Sequence, residues 1–555
     1  MVVTAAFFAV FFLWPVLQIL KGGFVNADGR LTFAFLGELL TDPFYLGCLG
    51  NSFLLALATT ALALLLALPL AFFFDRYRYP GRGLLASLIL IPMILPPFVG
   101  AIGLKQIFGQ YGAVNAFLVA LHLRPAGWAF DWFAASQFWG VAFIEALSLY
   151  PIIYLNAVAA LANVDPAMEE AAENLGCTGL RRFRRITLPL INPGLFAGAT
   201  LVFIWTFTEL GVPLIFDYSR VMPVQIYYGL KDIGGNPFPY TLTAIMLVSS
   251  VLLYAVGKGL FGRDSYAMMA KATSAGGARA LPPLRAWLCT ALFAGVTLVA
   301  ILPHLGVVLI AFSSHWHATV FPHQYTLDNF RLALGHDLTV PAIANSLKYS
   351  SVATLLDLVL GVAIAYVIVR TRLAGRRMLD FLVMLPLAVP GLVLAFGFLA
   401  MSQEGRLLAF LNPVENPTAL LIIAYAVRRL PYVVRSAAAG FQQTSVTLEE
   451  AAQNLGCPPV KATVRITLPL ITANLIAGGL LAFAFAMLEV SDSLILAQKQ
   501  AFYPITKAIF ELFQLLGDGR FLASALGVWA MVFLGVVIAG MSVLLGRKLG
   551  ALFRV

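Results

Sequence analysis

The sequence EEAAENLGCTGLRRFRRITLPLI occupies Glu169–Ile191, and EEAAQNLGCPPVKATVRITLPLI occupies Glu449–Ile471. The two stretches lie 280 residues apart and share two leading carboxylates, a glycine and a closing Ile-Thr-Leu-Pro. Matched polar segments in a chain that is otherwise mostly apolar indicate an internal duplication. The chain is therefore predicted to consist of two related halves, each with one copy of the same charged element.

The composition places these halves in a membrane. The 555 residues are 61% hydrophobic and 11% charged, whereas a soluble domain carries roughly 25% charged residues. Nine apolar runs are near or above the roughly 20 residues that cross a bilayer core: Ser52–Phe74, Leu84–Leu104, Leu190–Phe207, Tyr240–Leu260, Ala286–Ser313, Ser351–Val369, Phe381–Met401, Leu470–Met487 and Leu522–Leu545. Three weaker candidates are Val2–Leu20, Trp139–Leu161 and Ala419–Val434. The sequence lacks the alternation of a β-barrel, so it predicts an all-α polytopic membrane protein with about twelve spans.

The repeat extends beyond the charged element. At an offset of 294, Asn51 aligns with Asn345 and Arg76 with Arg370, and the prolines at 92 and 96 align with those at 386 and 390. An even number of predicted spans separates matching points, so the halves share one orientation and form a parallel repeat around a central pathway. We predict a first half over 1–260, a linker over 261–285 and a second half over 286–555. The prolines are expected to break the third and ninth spans.

Basic residues collect on one side of the predicted topology. This side carries the loops between spans two and three and between spans eight and nine, both charged repeats, the linker and the C-terminal tail. The positive-inside rule then predicts that both termini and both repeats are cytoplasmic. The net charge of +10 is accounted for by this bias, so no nucleic-acid partner is predicted. The four cysteines show neither metal-ligand spacing nor a disulfide framework.

Each charged repeat is predicted to fold as a short helix, a turn and a second helix. We call residues 165–189 the first knob and residues 446–469 the second knob. Asp165 before Pro166 is expected to cap the first knob's helix, and Thr447 with Glu450 is expected to form a capping box in the second. Gly176 and Gly456 are expected to end these helices in the left-handed conformation. Two matched rigid knobs suit a partner that is itself two-fold.

The spacing of Glu-Ala-Ala, three residues, Gly, nine residues and Ile-x-Leu-Pro resembles the EAA motif of ATP-binding-cassette (ABC) importer permeases. The full pattern is matched twice in this sequence, at Glu170, Ala171, Ala172, Gly176, Ile186, Leu188 and Pro189, and at Glu450, Ala451, Ala452, Gly456, Ile466, Leu468 and Pro469. The resemblance covers essentially the whole chain and is greatest to fused ferric-iron permeases. It implies the type I permease fold and a location in the bacterial inner membrane.

The resemblance also implies that separate subunits bind the substrate, hydrolyse ATP and form the membrane pathway. Each knob docks one of two copies of a cytoplasmic ATPase subunit, which binds ATP and Mg²⁺, while a binding protein delivers the substrate at the outer face. The chain itself is expected to bind no cofactor and to be no enzyme, since its sequence contains no Walker A pattern. Thiamine, phosphonate, hexose phosphate and polyamine remain alternative substrates to ferric iron. An ion-gradient-driven transporter is the alternative from a different class.

Charged residues at membrane depth are candidates for the pathway, because burying them in lipid is costly. Glu209 and Glu489 correspond at the 280 offset, and Asp492 follows the second. Carboxylate oxygens suit a hard cation such as Fe³⁺, and the alternative is that they gate or brace helices through hydrogen bonds. Arg428 and Arg429 are expected either to meet an anionic substrate or to pair with Glu489, and no metal site is firmly assigned. Asp357 in the eighth span is expected to pair internally.

Overall fold

The protein is described here from a computed structural model, which covers residues 2–25, 30–133, 136–232, 236–261 and 279–545. Most of the predicted linker, including Arg263 and Lys271, lies outside these residues, as do the tail residues Arg547 and Lys548. In the first half, α-, 3₁₀- and π-helices span Val2–Phe8, Ala9–Leu13, Trp14–Phe24, Ala34–Thr41, Pro43–Arg76, Arg82–Leu88, Ile91–Ile94, Pro97–Phe108, Ala113–Ala120, Gln137–Leu161, Pro166–Asn174, Gly179–Arg182, Phe183–Thr187, Leu188–Phe207, Gly211–Ile215, Met222–Tyr228, Gly229–Asp232 and Phe238–Phe261.

The second half repeats this pattern of long helices interrupted by short ones. Its helices are Pro283–Ala311, Asp328–Gly335, Thr339–Arg370, Arg376–Ala388, Gly391–Met401, Ala409–Leu411, Thr418–Gln443, Thr447–Asn454, Pro459–Ala462, Thr463–Thr467, Leu468–Leu470, Thr472–Met487, Ser491–Leu496, Gln500–Phe502, Ile505–Gln514 and Gly519–Leu545. The strands among the described residues form two short pairs. Tyr77–Arg78 runs parallel to Arg279–Ala280, and Ser313–His315 runs antiparallel to Gln324–Tyr325. The predicted all-α class is confirmed.

Eight described helices are long and apolar enough to cross a membrane: Val3–Phe24, Pro43–Arg76, Gln137–Leu161, Gly179–Phe207, Phe238–Val256, Pro283–Ala311, Thr339–Arg370 and Gly519–Gly540. Three bent pairs raise the number to eleven if each is one span: Arg82–Ile94 with Pro97–Ala120, Arg376–Leu387 with Gly391–Met401, and Pro459–Leu470 with Thr472–Met487. The remaining predicted span, Ala419–Val434, is the tenth along the chain and lies within the continuous helix Thr418–Gln443. That helix is not among the eleven; Arg428 and Arg429 near its middle lower its apolar character.

Proline explains the bends in the third and ninth predicted spans. The chain turns by 97° at the break before Pro97 and by 101° at the break before Gly391. Pro96 and Pro390 occupy the last non-helical position before the following helix. A proline lacks the N–H group that a continuing helix needs, and it forces the preceding residue out of the helical region. The predicted breaks in these two spans are confirmed.

The described residues cluster into two compact units that differ from the two halves of the sequence. One unit combines the described residues of 1–46 and 222–248 with those of 327–545, and the other combines the described residues of 47–221 with those of 249–326. Each unit therefore contains the first helix of the opposite half. In the first unit the helix Trp14–Phe24 packs on Gly391–Met401, and in the second Pro283–Ala311 packs on Pro97–Phe108.

Repeat-related glycines allow these close helix crossings. A Cβ atom at Gly397 would come within 2.9 Å of Pro15 Cβ and 3.0 Å of the Pro15 carbonyl oxygen. A Cβ atom at Gly103, its counterpart at the 294 offset, would overlap the Pro303 carbonyl oxygen. Small residues at such crossings let two backbones approach closely, as is usual between membrane helices.

Candidate functional site

The first knob is built by local signals in its sequence. Its helix spans Pro166–Asn174, and the Asp165 carboxylate accepts a hydrogen bond from the Ala167 N–H at 2.9 Å. Gly176 has a φ of +78°. Its N–H donates to the Glu173 carbonyl at 2.9 Å, and the Cys177 N–H donates to Ala172 at 2.8 Å. These two bonds form a Schellman motif, so both the predicted cap and the predicted glycine stop are confirmed.

The second knob ends in the same way but begins differently. Gly456 has a φ of +84°, and the Cys457 N–H donates to the Ala452 carbonyl at 3.0 Å. The predicted capping box is wrong, because Thr447 is the first helical residue and Val446 precedes it without a side-chain cap. Instead the Ser445 hydroxyl accepts from the Thr447 N–H at 3.3 Å. The helix therefore starts one residue earlier than a capping Thr447 would allow.

The motif residues divide between an outer and an inner surface of each knob. Glu170, Ala171, Gly176 and Pro189 are exposed, as are their counterparts Glu450, Ala451, Gly456 and Pro469. Ala172 is buried, while Ala452, Ile186, Leu188, Ile466 and Leu468 are half-buried. Beside the glycine turns, Leu175 and Leu455 are 88% and 89% exposed. An exposed leucine next to an exposed carboxylate gives each knob a mixed apolar and acidic outer surface.

A buried carboxylate holds the inner side of the first knob. Glu169, the residue before the Glu-Ala-Ala sequence, is 6% exposed. Its Oε1 accepts from Arg76 Nη2 at 2.7 Å and from the Thr187 hydroxyl at 2.7 Å. Arg76 ends the long helix Pro43–Arg76, and Thr187 ends the π-helical turn Phe183–Thr187. One oxygen thus joins three separate elements.

The second knob repeats this arrangement. Glu449 Oε1 accepts from Arg370 Nε at 3.2 Å and from the Thr467 hydroxyl at 2.5 Å. Arg370 ends the helix Thr339–Arg370 and donates a second bond to the Thr444 carbonyl at 2.7 Å. Its guanidinium also lies over the Phe441 ring at 5.6 Å. We call Arg76–Glu169–Thr187 and Arg370–Glu449–Thr467 the two Arg–Glu–Thr triads.

The triads are functional candidates that the sequence interpretation missed. It assigned the coupling role to Glu170 and Glu450, the carboxylates of the Glu-Ala-Ala pattern. The signal was present nevertheless, because Glu169 and Glu449 stand in the repeated stretch and Arg76 aligns with Arg370. Adjacent helical residues point about 100° apart, so one carboxylate of each pair faces the protein and the other faces outward.

The described end of the linker contacts the first knob. Arg279, in the strand Arg279–Ala280, lies with its Nη1 3.5 Å from Glu173 Oε1. Glu173 also accepts a hydrogen bond from Arg182. The positions of Glu173 and Arg182 are taken by Gln453 and Ala462 in the second knob. The two knobs therefore share a scaffold but differ in charge.

The second-half pathway candidates lie together in one buried ion cluster. Arg428 contacts Glu489 and, at 3.2 Å, Asp492 Oδ2. Arg429 contacts the other oxygen of Glu489 and donates to the Phe485 carbonyl at 3.2 Å. Glu489 is 5% exposed and Asp492 is fully buried. Both guanidinium groups are therefore engaged by carboxylates in this structure.

The first-half counterpart has a different environment. Glu209 Oε1 accepts from the Gly211 N–H at 2.9 Å and from the Val212 N–H at 3.3 Å, at the start of the helix Gly211–Ile215. Ser148 and Leu149 occupy the positions of the two arginines. Glu209 and Glu489 thus correspond in sequence, yet one caps a helix and the other lies between two arginines.

Two further acidic side chains are buried in the long helices. Glu145 is 1% exposed, and its Oε1 has no hydrogen-bond partner among the described residues. Asp357 is fully buried, and neither carboxylate oxygen has a hydrogen-bond partner within the described ranges. The predicted internal pairing of Asp357 is therefore not seen, because the neighbouring Arg429 is bound to Glu489 instead.

His315, His317 and His323 lie between the helices Pro283–Ala311 and Thr339–Arg370. The His317 ring stacks on Tyr111 with centroids 4.6 Å apart. No group of three or more His, Cys, Asp or Glu side chains within the described residues is placed to hold a metal ion.

Comparison with known families gives matches in both halves. The model of the family described as "Binding-protein-dependent transport system inner membrane component" matches residues 60–264 and 357–549. The two matched ranges include one knob each, and they include Glu169 and Glu449. The family match therefore reproduces the duplication that the charged repeats indicate.

Three relatives show how the match extends along the chain. The ferric transport system permease protein FbpB of Actinobacillus pleuropneumoniae is 25% identical over 87% of this chain and 69% of its own length. The Fe(3+)-transport system permease protein FbpB 2 of Haemophilus influenzae is 25% identical over 83% of each chain. The molybdenum transport system permease protein ModB of Escherichia coli is 29% identical over 40% of this chain and 95% of its own. The first two match both halves, whereas the third corresponds to one half.

Proposed function

Because the chain belongs to the family of binding-protein-dependent transport system inner membrane components, we propose that it conducts ferric iron across a bacterial inner membrane as the permease of an ABC importer. The observation that carries the iron assignment is similarity to ferric permeases along both halves. The family assignment replaces the alternative of an ion-gradient-driven transporter. Orientation with both termini in the cytoplasm follows from the basic loops.

We propose that each knob docks one copy of a separate ATPase subunit, which binds ATP and Mg²⁺ and performs the hydrolysis. The exposed residues of the two knobs support this role, since Leu175 and Leu455 are almost fully exposed. Burying one leucine side chain contributes about 1.5–3 kcal/mol, so an exposed leucine is expected to serve a contact. Glu170 and Glu450 are exposed beside these leucines and would meet basic groups of the ATPase. Two equivalent knobs imply two ATPase copies.

The buried ion cluster bears on the alternative of an anionic substrate. A phosphonate or another anion would need a guanidinium that accepts it, yet Arg428 and Arg429 are both bound to carboxylates. An entering anion would have to displace Glu489 from both arginines. A hard cation prefers oxygen ligands, but at Glu489 and Asp492 it would have to separate the same ion pairs. Glu209 accepts backbone N–H groups instead, and we propose all three carboxylates as pathway groups. The iron is cargo in this proposal and arrives from a binding protein at the outer face.

The proposal is tested in vesicles that contain the chain together with its ATPase and binding protein. Uptake of radioactive Fe³⁺ is measured against uptake of thiamine, a hexose phosphate, a polyamine and a phosphonate. ATP-dependent accumulation of Fe³⁺ above the other substrates supports the assignment, and accumulation of one of the others instead refutes it. The variant Glu209→Gln, in which the backbone bonds at the helix start can be retained, is expected to lose Fe³⁺ uptake while ATPase subunits still co-purify. Unchanged uptake in this variant would remove Glu209 from the pathway.

A further inference from the structure

Each Arg–Glu–Thr triad joins the short helix of its knob to the last residue of a long helix and to the turn that precedes the following helix. In the first half, Arg76 is the last residue of a helix of 34 residues, and Thr187 directly precedes the helix Leu188–Phe207. In the second half, Arg370 is the last residue of a helix of 32 residues, and Thr467 precedes Leu468. In each triad the arginine and the threonine bond to the same carboxylate oxygen, Oε1 of the glutamate on the knob helix.

Burial makes these contacts costly to break. The side chains of Arg370 and Glu449 are 6% and 5% exposed, and those of Arg76 and Glu169 are 19% and 8% exposed. Separating a buried pair leaves an uncompensated charge and costs far more than separating an exposed pair. The knob helix therefore cannot move away from the end of the long helix without breaking a costly contact, so the two move together.

The π-helical turns place the threonines for this contact. In each half the turn closes with an N–H bond to the carbonyl five residues earlier, from Leu188 to Phe183 and from Leu468 to Thr463. Pro189 and Pro469 follow at once, and proline withholds the N–H that regular helical bonding needs. The wider turn is associated with a buried Thr187 and a buried Thr467, whose hydroxyls reach the glutamates.

We propose that Glu169 and Glu449 are positioning residues that transmit motion of the docked knobs to the helices Pro43–Arg76 and Thr339–Arg370. Their neighbours Glu170 and Glu450 face outward and serve docking, so the consecutive carboxylates divide docking from transmission. This inference rests on the proposed function, in which the knobs dock the ATPase. The Arg370–Glu449 pair is more deeply buried than the Arg76–Glu169 pair, so loss of the second triad is expected to affect coupling more.

The test separates docking from transmission in the assembled transporter. Glu169→Gln and Glu449→Gln are compared with the parent for the yield of co-purified ATPase and for Fe³⁺ transported per ATP hydrolysed. We expect parent-like co-purification and a loss in transport per ATP of at least about tenfold, the factor that one hydrogen bond to a charged group represents. Glu170→Gln and Glu450→Gln are expected to show the opposite pattern, with reduced co-purification.

Threonine variants keep the test decisive if the glutamine variants fold poorly. Thr187→Val and Thr467→Val remove one hydroxyl donor each without a change in shape, and Thr187→Ser and Thr467→Ser retain the donor. We expect the valine variants to lose transport per ATP and the serine variants to resemble the parent. Parent-like coupling in the valine variants would overturn the inference, as would parent-like coupling in folded Glu169→Gln and Glu449→Gln. Failure of the parent itself to co-purify ATPase would instead refute the docking function.

Discussion

The most direct consequence of the buried charges concerns Glu489 and Glu209, which correspond in sequence but not in environment. Glu489 lies between Arg428 and Arg429. With Asp492 ionised, the four groups carry no net charge, and Glu489→Gln leaves an excess positive charge in a buried cluster. Removing one partner of a buried ion pair costs about 3–5 kcal/mol. We therefore expect Glu489→Gln to be strongly destabilising.

The matched change Glu209→Gln is expected to be mild. Glu209 accepts bonds from two N–H groups at the start of a short helix, and a glutamine oxygen still accepts from them. Loss of a helix cap costs about 1 kcal/mol at most sites, and here only the charge is lost. The expected difference between the two glutamine variants is therefore several kcal/mol. Replacing Glu489 and Arg429 together, by Leu and Met, should recover much of the lost stability, since the cluster then regains its charge balance.

The assay is thermal unfolding of the purified chain in detergent, measured as the loss of monomeric protein after heating. Glu489→Gln should lower the midpoint well below that of the parent, and Glu209→Gln should change it little. The double replacement of Glu489 and Arg429 should lie between Glu489→Gln and the parent. Equal midpoints for the two single variants would refute the reasoning, because they would show that the ion cluster contributes no more than a helix cap.

Three further outcomes are expected. The purified chain alone should show no ATP hydrolysis above background, and turnover that persists in the isolated chain would contradict its role as a transport subunit. Gly176→Val and Gly456→Val should strain the left-handed turns by about 1–2 kcal/mol and reduce the yield of co-purified ATPase. A yield of ATPase equal to the parent's in both variants would count against docking at these turns. Gly306→Ala should lower thermal stability because its Cβ would lie 2.7 Å from the Gly103 carbonyl oxygen. A Cβ atom at Gly295 in the same helix would meet nothing within 4 Å, so Gly295→Ala should have the thermal stability of the parent. Equal losses of stability in the two alanine variants would argue against the close crossing.

The sequence by itself determined the features that depend on neighbours along the chain. A run of apolar residues specifies a membrane helix because each residue meets lipid or protein directly. The knobs follow from Asp165, Gly176 and Gly456, whose bonds reach only a few residues. The bends at Pro96 and Pro390 follow from the missing N–H of proline. The duplication is visible because both copies retain these local signals at fixed offsets.

Prediction from neighbouring residues was less accurate where more than one side chain could bond to the same helix start. Thr447 was expected to cap the second knob, but Val446 holds the cap position without a side-chain bond, and the Ser445 hydroxyl accepts from the Thr447 N–H. Ser and Thr both accept backbone bonds at a helix start, and the sequence alone does not rank two of them that lie two residues apart. Composition was likewise insufficient for the helix Thr418–Gln443, whose arginines set it apart from the other predicted spans.

Only the tertiary structure decided which distant residues meet. Arg76 reaches Glu169 across 93 positions, and Arg428 reaches Glu489 across 61. Such pairings depend on how helices pack, and correspondence in the repeat does not guarantee them. The Arg–Glu pairs of the triads recur in both halves, whereas Glu209 and Glu489 occupy equivalent positions in unlike surroundings. The structure also placed the first helix of each half in the compact unit of the other half. The physical reason is that backbone bonds and apolar runs act over a few residues, whereas a buried charge takes its partner from whichever helix the fold brings beside it.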